Sequence, residues 1–464
     1  MRLLRGREGR WLHEYGGERE AFLSRSVSYE NGWRQSSPVP LEQQRRPPPI
    51  AEAIGSFSHV YATTVLDYMR SLPEDALDPL VDALAGAPAA GASTLYVFGN
   101  GGSHAIARHL EYALRSRFQG LHGVRVNCGV DYHSAQAYAA ADGYDSIFEA
   151  VLRSELAGPD DLVIFISGSG DSDNLLHAAA FCRERGIHTL SFAGFDGGKI
   201  SRLRATDVPF VVRVPDQQIA EDVIQALLRV AVDLAYARCV GAAGSACEAV
   251  SDYCLLLEES LERIDPAWIE RVSAAVCKAF FGGRTVFLLA PEGAPMSVSA
   301  EHTAHNFNWD AVYKIPNPPP RHIRSTPTCC DYTGIGNDRL TPGIVTWQQL
   351  DCAVPGDVLI LYVQDLESEI VDRVAAVAED AGVTIFALTG RGEPSSAVDA
   401  VSLESNVPGV LADVGQMCGH MLGRVIHMRL AQEVDPGSVA DDRETYLIGN
   451  DLAQRRLLDV LAGL

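Results

Sequence analysis

Residues 161–167 read DLVIFIS, and residues 357–363 read DVLILYV. Each opens on Asp and continues as a short apolar run, the pattern of a strand buried on both faces of a parallel sheet. A second pair stands at the same offset without a gap: GIHTLSFAG from 186 and GVTIFALTG from 382. Self-similarity over a length of this size is a tandem duplication of a domain, not a solenoid.

Working outward, each copy alternates strand and helix. The first has helical stretches at 50–71 and 74–86, the strand TLYVF (94–98), a helix near 104–116 and the strand VRVNCGV (124–130). After DLVIFIS come a helix (174–185), strands at 188–194 and 208–215, and a long helix (218–238). The second has one helical stretch (255–280), strands at 284–290, 356–363 and 383–390, and helices at 367–381 and 409–432. Such alternation predicts an α/β protein of two tandem doubly wound parallel sheets, flavodoxin-like, with flanking helices. The expected division is an extension (1–49), a first domain (50–250), a second (251–435) and a tail (436–464). Ligands in such folds sit beyond the carboxyl ends of the strands.

Composition limits the function classes. A formal charge of −22 argues against nucleic acid or an anionic membrane as partner. It leaves room for a small anion, because a local loop can bind phosphate inside an acidic protein. No run long and apolar enough for a membrane span is present. The basic N-terminal MRLLRGREGRWLHEYGG lacks the apolar stretch of a secretory leader. Ten Cys without a CxxC pair read as reduced thiols, so the expected compartment is cytoplasmic.

Two loops of the first copy carry anion chemistry. One is FGNGGSHAIARHL (98–110), a glycine turn between strand and helix. The other is SGSGDSDN (167–174). Glycines permit close backbone approach, helix N-termini favour anions, and serine hydroxyls donate further bonds. Two such loops on strand ends of one sheet make a phosphate site. The GxGxxG pattern fails at His104, and no GxSxG elbow is present.

These residues carry a resemblance. FGNGGSHAIARH, ISGSGDSDN and TLSFAGFDGGKI resemble the signature loops of sugar isomerase (SIS) domains, most of all the phosphoheptose isomerase branch. TGIGND (333–338), PGDVLILYV and FALTGRG resemble them in the second copy. The resemblance spans about residues 50–432. It implies that Ser103, Ser167, Ser169 and Ser172 hold the phosphate of a sugar phosphate, with Gly101 and Gly102 also binding the substrate. Asn100 and Asp142, and Asp222 by its place in D-x-x-Q, would meet the sugar. It also implies a homodimer of these two-domain chains, arranged as a pseudo-tetramer.

Aldose–ketose isomerisation needs a base, a carrier for the hydroxyl proton and positive charge near the oxygens. The resemblance implies a His and a Glu after the glycine loop, then Asp, Gln and His on the last helix, with a divalent metal, zinc, as the implied cofactor. The first copy has His109, but Ala113 at the Glu position. It has Asp222 and Gln225, but Asp233 at the His position. His109, Gln225 and Asp233 could still ligate metal. The second copy has His302 and His305 after its first loop, and Asn306 at the Glu position. Its last helix carries Asp413, Gln416, His420, Arg424 and His427. Aligning on D-x-x-Q puts Arg424 at the His position; aligning on GHML puts His420 there. Its second loop, VQDLESE, has Asp365 opposite Ser169, a charge that repels phosphate.

These complementary losses predict a composite centre, with phosphate loops from the first copy and His302 and His420 from the second as catalytic groups. His109 and Asp233 are the candidates if the first copy acts alone, and His302 joins the candidate metal ligands. The expected activity is isomerisation of a sedoheptulose 7-phosphate-like sugar phosphate. The alternatives are an amino-sugar phosphate isomerase or deaminase, and a non-catalytic phosphosugar-binding regulator.

Overall fold

The computed structural model describes residues 50–86, 93–118, 125–129, 131–242, 244–313, 315–325, 349–393 and 395–434. The extension, the tail, TGIGND and Cys329–Cys330 lie outside the described residues. The described residues all fall in one compact unit.

Helices α1 (Ile50–Arg70) and α2 (Asp78–Gly86) lead into β1 (Thr94–Gly99), α3 (Gly102–Phe118), β2 (Arg125–Asn127), α4 (Tyr132–Asp142), α5 (Ile147–Ser154) and β3 (Leu162–Ser167). Next come α6 (Asp173–Arg185), β4 (His188–Gly194), α7 (Gly198–Arg202), β5 (Val208–Val212) and α8 (Gln217–Cys239). The second half runs α9 (Ala246–Leu261), α10 (Pro266–Phe281), β6 (Thr285–Leu289), α11 (Met296–Asn308), β7 (His322–Arg324) and β8 (Val358–Asp365). It closes with α12 (Glu369–Asp380), β9 (Thr384–Arg391), β10 (Val398–Ser402) and α13 (Pro408–Val434).

Both sheets are parallel and five-stranded, in the orders β2-β1-β3-β4-β5 and β7-β6-β8-β9-β10. Numbered within its own half, each is 2-1-3-4-5, the flavodoxin-like order. The register repeats as well. Leu162 of β3 faces His188 of β4, and Val358 of β8 faces Thr384 of β9. The strand DLVIFIS is buried throughout its span, as its composition demands.

Two expectations need correction. The stretch 255–280 is two helices, because Pro266 has no N–H for a helix interior and suits a first turn. Asp265 caps α10, accepting from Ala267 N at 2.9 Å. The strand expected at 124–130 is three residues long, at the sheet edge.

The main apolar core is shared. It runs from the inner face of the first sheet (Val97, Ile164), through Phe57, Val223 and Leu422, to the inner face of the second (Ile360, Leu388). Two smaller cores cover the outer faces. Helices α3 and α8 pack against each other, α11 against α13, and both pairs meet across the centre; α1 reaches across to α10. The carboxyl end of the first sheet therefore opens onto helices of the second half.

Candidate active site

The glycine turn after β1 is shaped by close approach. Gly101 has φ +53°. A Cβ on Gly102 would lie 2.6 Å from Glu221 Oε2 and 2.9 Å from His302 Nε2. One on Gly101 would lie 3.4 Å from Nε2 of the exposed His305. Ser103 is buried in the first turn of α3. Asn100 and Asn174 exchange amide bonds of 2.9 and 3.0 Å, which ties the first loop to the second.

In the second loop Ser167 Oγ accepts from Gly170 N at 2.9 Å, and Ser169 Oγ accepts from Asp171 N at 3.2 Å. Ser172 precedes α6 without a side-chain capping bond. Gly170, at φ +70°, must be glycine, since a Cβ there would stand 2.2 Å from Gly197 O. The cations Lys199 and Arg202 of α7 approach Asp173 (3.7 Å) and Asp171 (3.5 Å) at this loop. Asp142 lies on an exposed helix end, 3.9 Å from Arg153, and Tyr144 nearby donates to Asn100 Oδ1 at 3.3 Å.

Behind Gly102 lies a buried polar cluster drawn from both halves. Glu221 and Asp222 come from α8, Tyr61 from α1, His302 from α11, and Gln416 and His420 from α13. Asp222 accepts from Tyr61 Oη at 2.5 Å and from Gln416 Nε2 at 2.9 Å, and it pairs with His420 Nδ1 at 2.9 Å. Gln416 Oε1 holds His302 Nδ1 at 2.9 Å. Each imidazole is thereby fixed through Nδ1, with Nε2 turned inward. His302 Nε2 lies 3.8 Å and His420 Nε2 3.6 Å from Glu221 Oε2, and both nitrogens lack a hydrogen-bond partner among the described residues.

Electrostatics separate the three groups. Burial pushes the Glu221 carboxyl up to about 7, against the opposing pull of His420. Burial, and then the neighbouring His420, hold His302 well below the usual imidazole range. For His420 burial acts downward, but the charge and hydrogen bond of Asp222, with Glu221, raise it overall.

The trio fits a metal. Glu221, His302 and His420 offer donor atoms within 4.8 Å of one another. Zinc takes nitrogen and oxygen at about 2.0–2.2 Å. Holding Nδ1 by an outer amide or carboxylate is the arrangement that orients ligating histidines.

Around Asp413 stands a second buried network. Asp413 accepts from Tyr253 Oη at 2.5 Å, from Gln225 Nε2 at 2.8 Å and from Arg229 at 2.9 Å. His109 lies inside the protein, with both ring nitrogens unpartnered among the described residues. Burial and then Arg229 lower it to about 3.

Of the expected groups, the structure brings His302, His420 and Asp222 to the glycine loop. It does not bring Asp233, which is half-exposed and pairs with Arg117 at 2.5 Å. Eight residues past Gln225, the helix has turned about 80° beyond two full turns, so Asp233 leaves that face. Gln225 and His109 belong to the Asp413 network. Of the expected metal ligands, His302 alone is in the converging trio. Arg424, the other candidate for the His position, donates to Gln218 and Asp216 and lies over the Tyr61 ring. Sequence reasoning missed Glu221 and Tyr61. The signal for Glu221 was a pair of acids inside the apolar helix IAEDVIQALL.

The SIS domain family model matches residues 60–194. The phosphoheptose isomerase of Paramagnetospirillum magneticum is 38% identical over 123 residues, covering 26% of this chain and 63% of that protein. That of Geotalea daltonii is 33% identical over 151 residues, covering 32% of this chain and 76% of that protein. The chain thus spans just under two thirds of the first relative's length. A Salmonella typhimurium LT2 protein, provisionally named as sugar binding, matches in fold with a TM-score of 0.55 at 14% identity, over 80% of this chain and 99% of that one.

Proposed function

From the premise that this chain belongs to the sugar isomerase (SIS) domain family, in its phosphoheptose isomerase branch, we propose that it interconverts a ketose phosphate of the sedoheptulose 7-phosphate class with its aldose phosphate. The observation that carries this reading is the position of Gly102, which joins the anion loops of one half to the Glu221–His302–His420 trio.

In this reading the phosphate lies on the 167–173 loop, against backbone N–H groups at the start of α6. The sugar chain runs over Gly101 and Gly102 to the trio. A proton leaves the hydroxyl-bearing carbon beside the carbonyl, an enediolate forms, and the proton returns to the former carbonyl carbon. The hydroxyl proton passes between the two oxygens, so no redox partner is needed. Glu221, with its carboxyl near 7, moves the carbon-bound proton in the ion-free enzyme. His420 donates toward the oxygens.

Zinc held by Glu221, His302 and His420 would supply positive charge at those oxygens. With the trio so committed, the group placed to move the carbon-bound proton would be His305, beside Gly101. Incubating purified protein with sedoheptulose 7-phosphate should yield an aldose phosphate, and the His302→Ala variant should yield none. Wild-type protein that binds the sugar phosphate without converting it would overturn the proposal.

A further inference from the structure

We infer that the chain contains a second reaction centre, the counterpart of the first, closed by its own Arg229 and Glu292, so that each chain offers one phosphosugar site. This rests on the reading of the Glu221 trio as the working centre.

The two centres correspond residue for residue across the halves. Asp222 of the first half takes a bond from Gln416 of the second at 2.9 Å; Asp413 of the second takes one from Gln225 of the first at 2.8 Å. Tyr61 donates to Asp222 and Tyr253 to Asp413, both at 2.5 Å. Asp222, Gln225 and Arg229 share one helical spacing with Asp413, Gln416 and His420. Arg229 therefore stands in the second centre where His420 stands in the first, and by the same alignment Ala412 stands for Glu221. His109 of α3 takes the place of His302 of α11.

Each difference removes a function. The guanidinium of Arg229, a third donor to Asp413, is a cation that cannot ligate a metal. Without the carboxylate and the second imidazole, His109 is left buried, with both nitrogens unpartnered among the described residues. Gln225 Oε1 is likewise without a hydrogen-bond partner among the described residues, whereas its counterpart Gln416 Oε1 holds His302 Nδ1. The matching phosphate loop is closed independently. Glu292 Oε2 accepts from the backbone N–H groups of Gln364 and Asp365 (3.3 Å to the latter), the counterparts of Gly168 and Ser169. An internal carboxylate thus holds amides equivalent to those offered to phosphate in the first half. Asp365 is itself held by Arg391 at 2.6 Å.

The test counts bound zinc by equilibrium dialysis in the full chain. The variants are Arg229→His and Arg229→His with Ala412→Asp. The first is expected to fold, because a histidine already partners the equivalent carboxylate Asp222. Arg229→Lys reports whether position 229 tolerates change without gaining a ligand. At least one histidine variant should bind one ion more per chain than wild type, and adding His109→Ala should remove the increment. Equal counts in wild type and both cooperatively melting histidine variants would overturn the inference. The comparison is a difference, so a wild-type count of zero speaks against zinc in the first centre, while a count of one in the variant still supports the second.

Discussion

Gly102 and His302 lie so close that a methyl group on the glycine would stand 2.9 Å from the imidazole Nε2. One comes from the loop of the first sheet and the other from a helix of the second half. The same methyl would sit 2.6 Å from Glu221. Gly102→Ala should therefore displace the trio and lower kcat about 100-fold, the scale of an ångström misplacement at a reaction centre. Gly86→Ala, which meets nothing within 4 Å among the described residues, is the control. Steady-state rates check both, and full activity in Gly102→Ala would show that substrate does not pass this point.

The proposed function places phosphate affinity in the serine loop. Ser169→Ala with Ser172→Ala should weaken binding of a sugar phosphate by about 1.5–3 kcal/mol for each lost bond to a charged group. Calorimetry measures this directly. Unchanged affinity would remove the loop from the site.

Chemistry and grip should separate. His302→Ala or His420→Ala should abolish turnover while leaving sugar phosphate binding near wild type, because these groups act on the transition state and the loop acts on substrate and transition state alike. Asp233→Ala, a change on the outer face of α8, should leave turnover intact. Wild-type rates in both histidine variants would refute the composite centre.

His109 gives the fold a pH signature. Its imidazole titrates at about 3 in the folded chain and near 6.5 unfolded. The folded pKa is the lower one, so the unfolded state binds the extra proton, and stability is lost as pH falls below about 6.5. Between pH 7 and pH 5 this group should cost about 2 kcal/mol. Urea unfolding of wild type and His109→Leu should show a shallower pH slope in the variant. Equal slopes would mean that the ring is solvated.

The strands could be read directly because DLVIFIS and DVLILYV are buried on both faces, and such runs admit little else. The complementary loops pointed to a composite centre, and the four loop serines and His302 were visible as types in order. The error over Asp233 came from carrying a spacing of eight along a helix, where it rotates off the face, whereas His420 lies four residues after Gln416 and stays near it. Glu221 escaped because a carboxylate in a helix usually faces water. Its burial follows from α8 being covered by the other half, a long-range fact of which the acids within the apolar run IAEDVIQALL were the local trace. The break at Pro266 was legible, and the apolar periodicity on either side masked it.

The exchanged bonds between Asp222 and Gln416 and between Asp413 and Gln225 have a consequence for assembly. A centre divided between two separate polypeptides exists only above the concentration at which they associate. Here the linked halves meet at the effective concentration set by the chain itself, so the Glu221 centre forms on folding, at any dilution. Linkage also breaks the identity of the partners. In a pair of identical chains, any change at the position of His420 would appear in both centres at once. In this chain Arg229 could take its place beside Asp413 while His420 stayed beside Asp222.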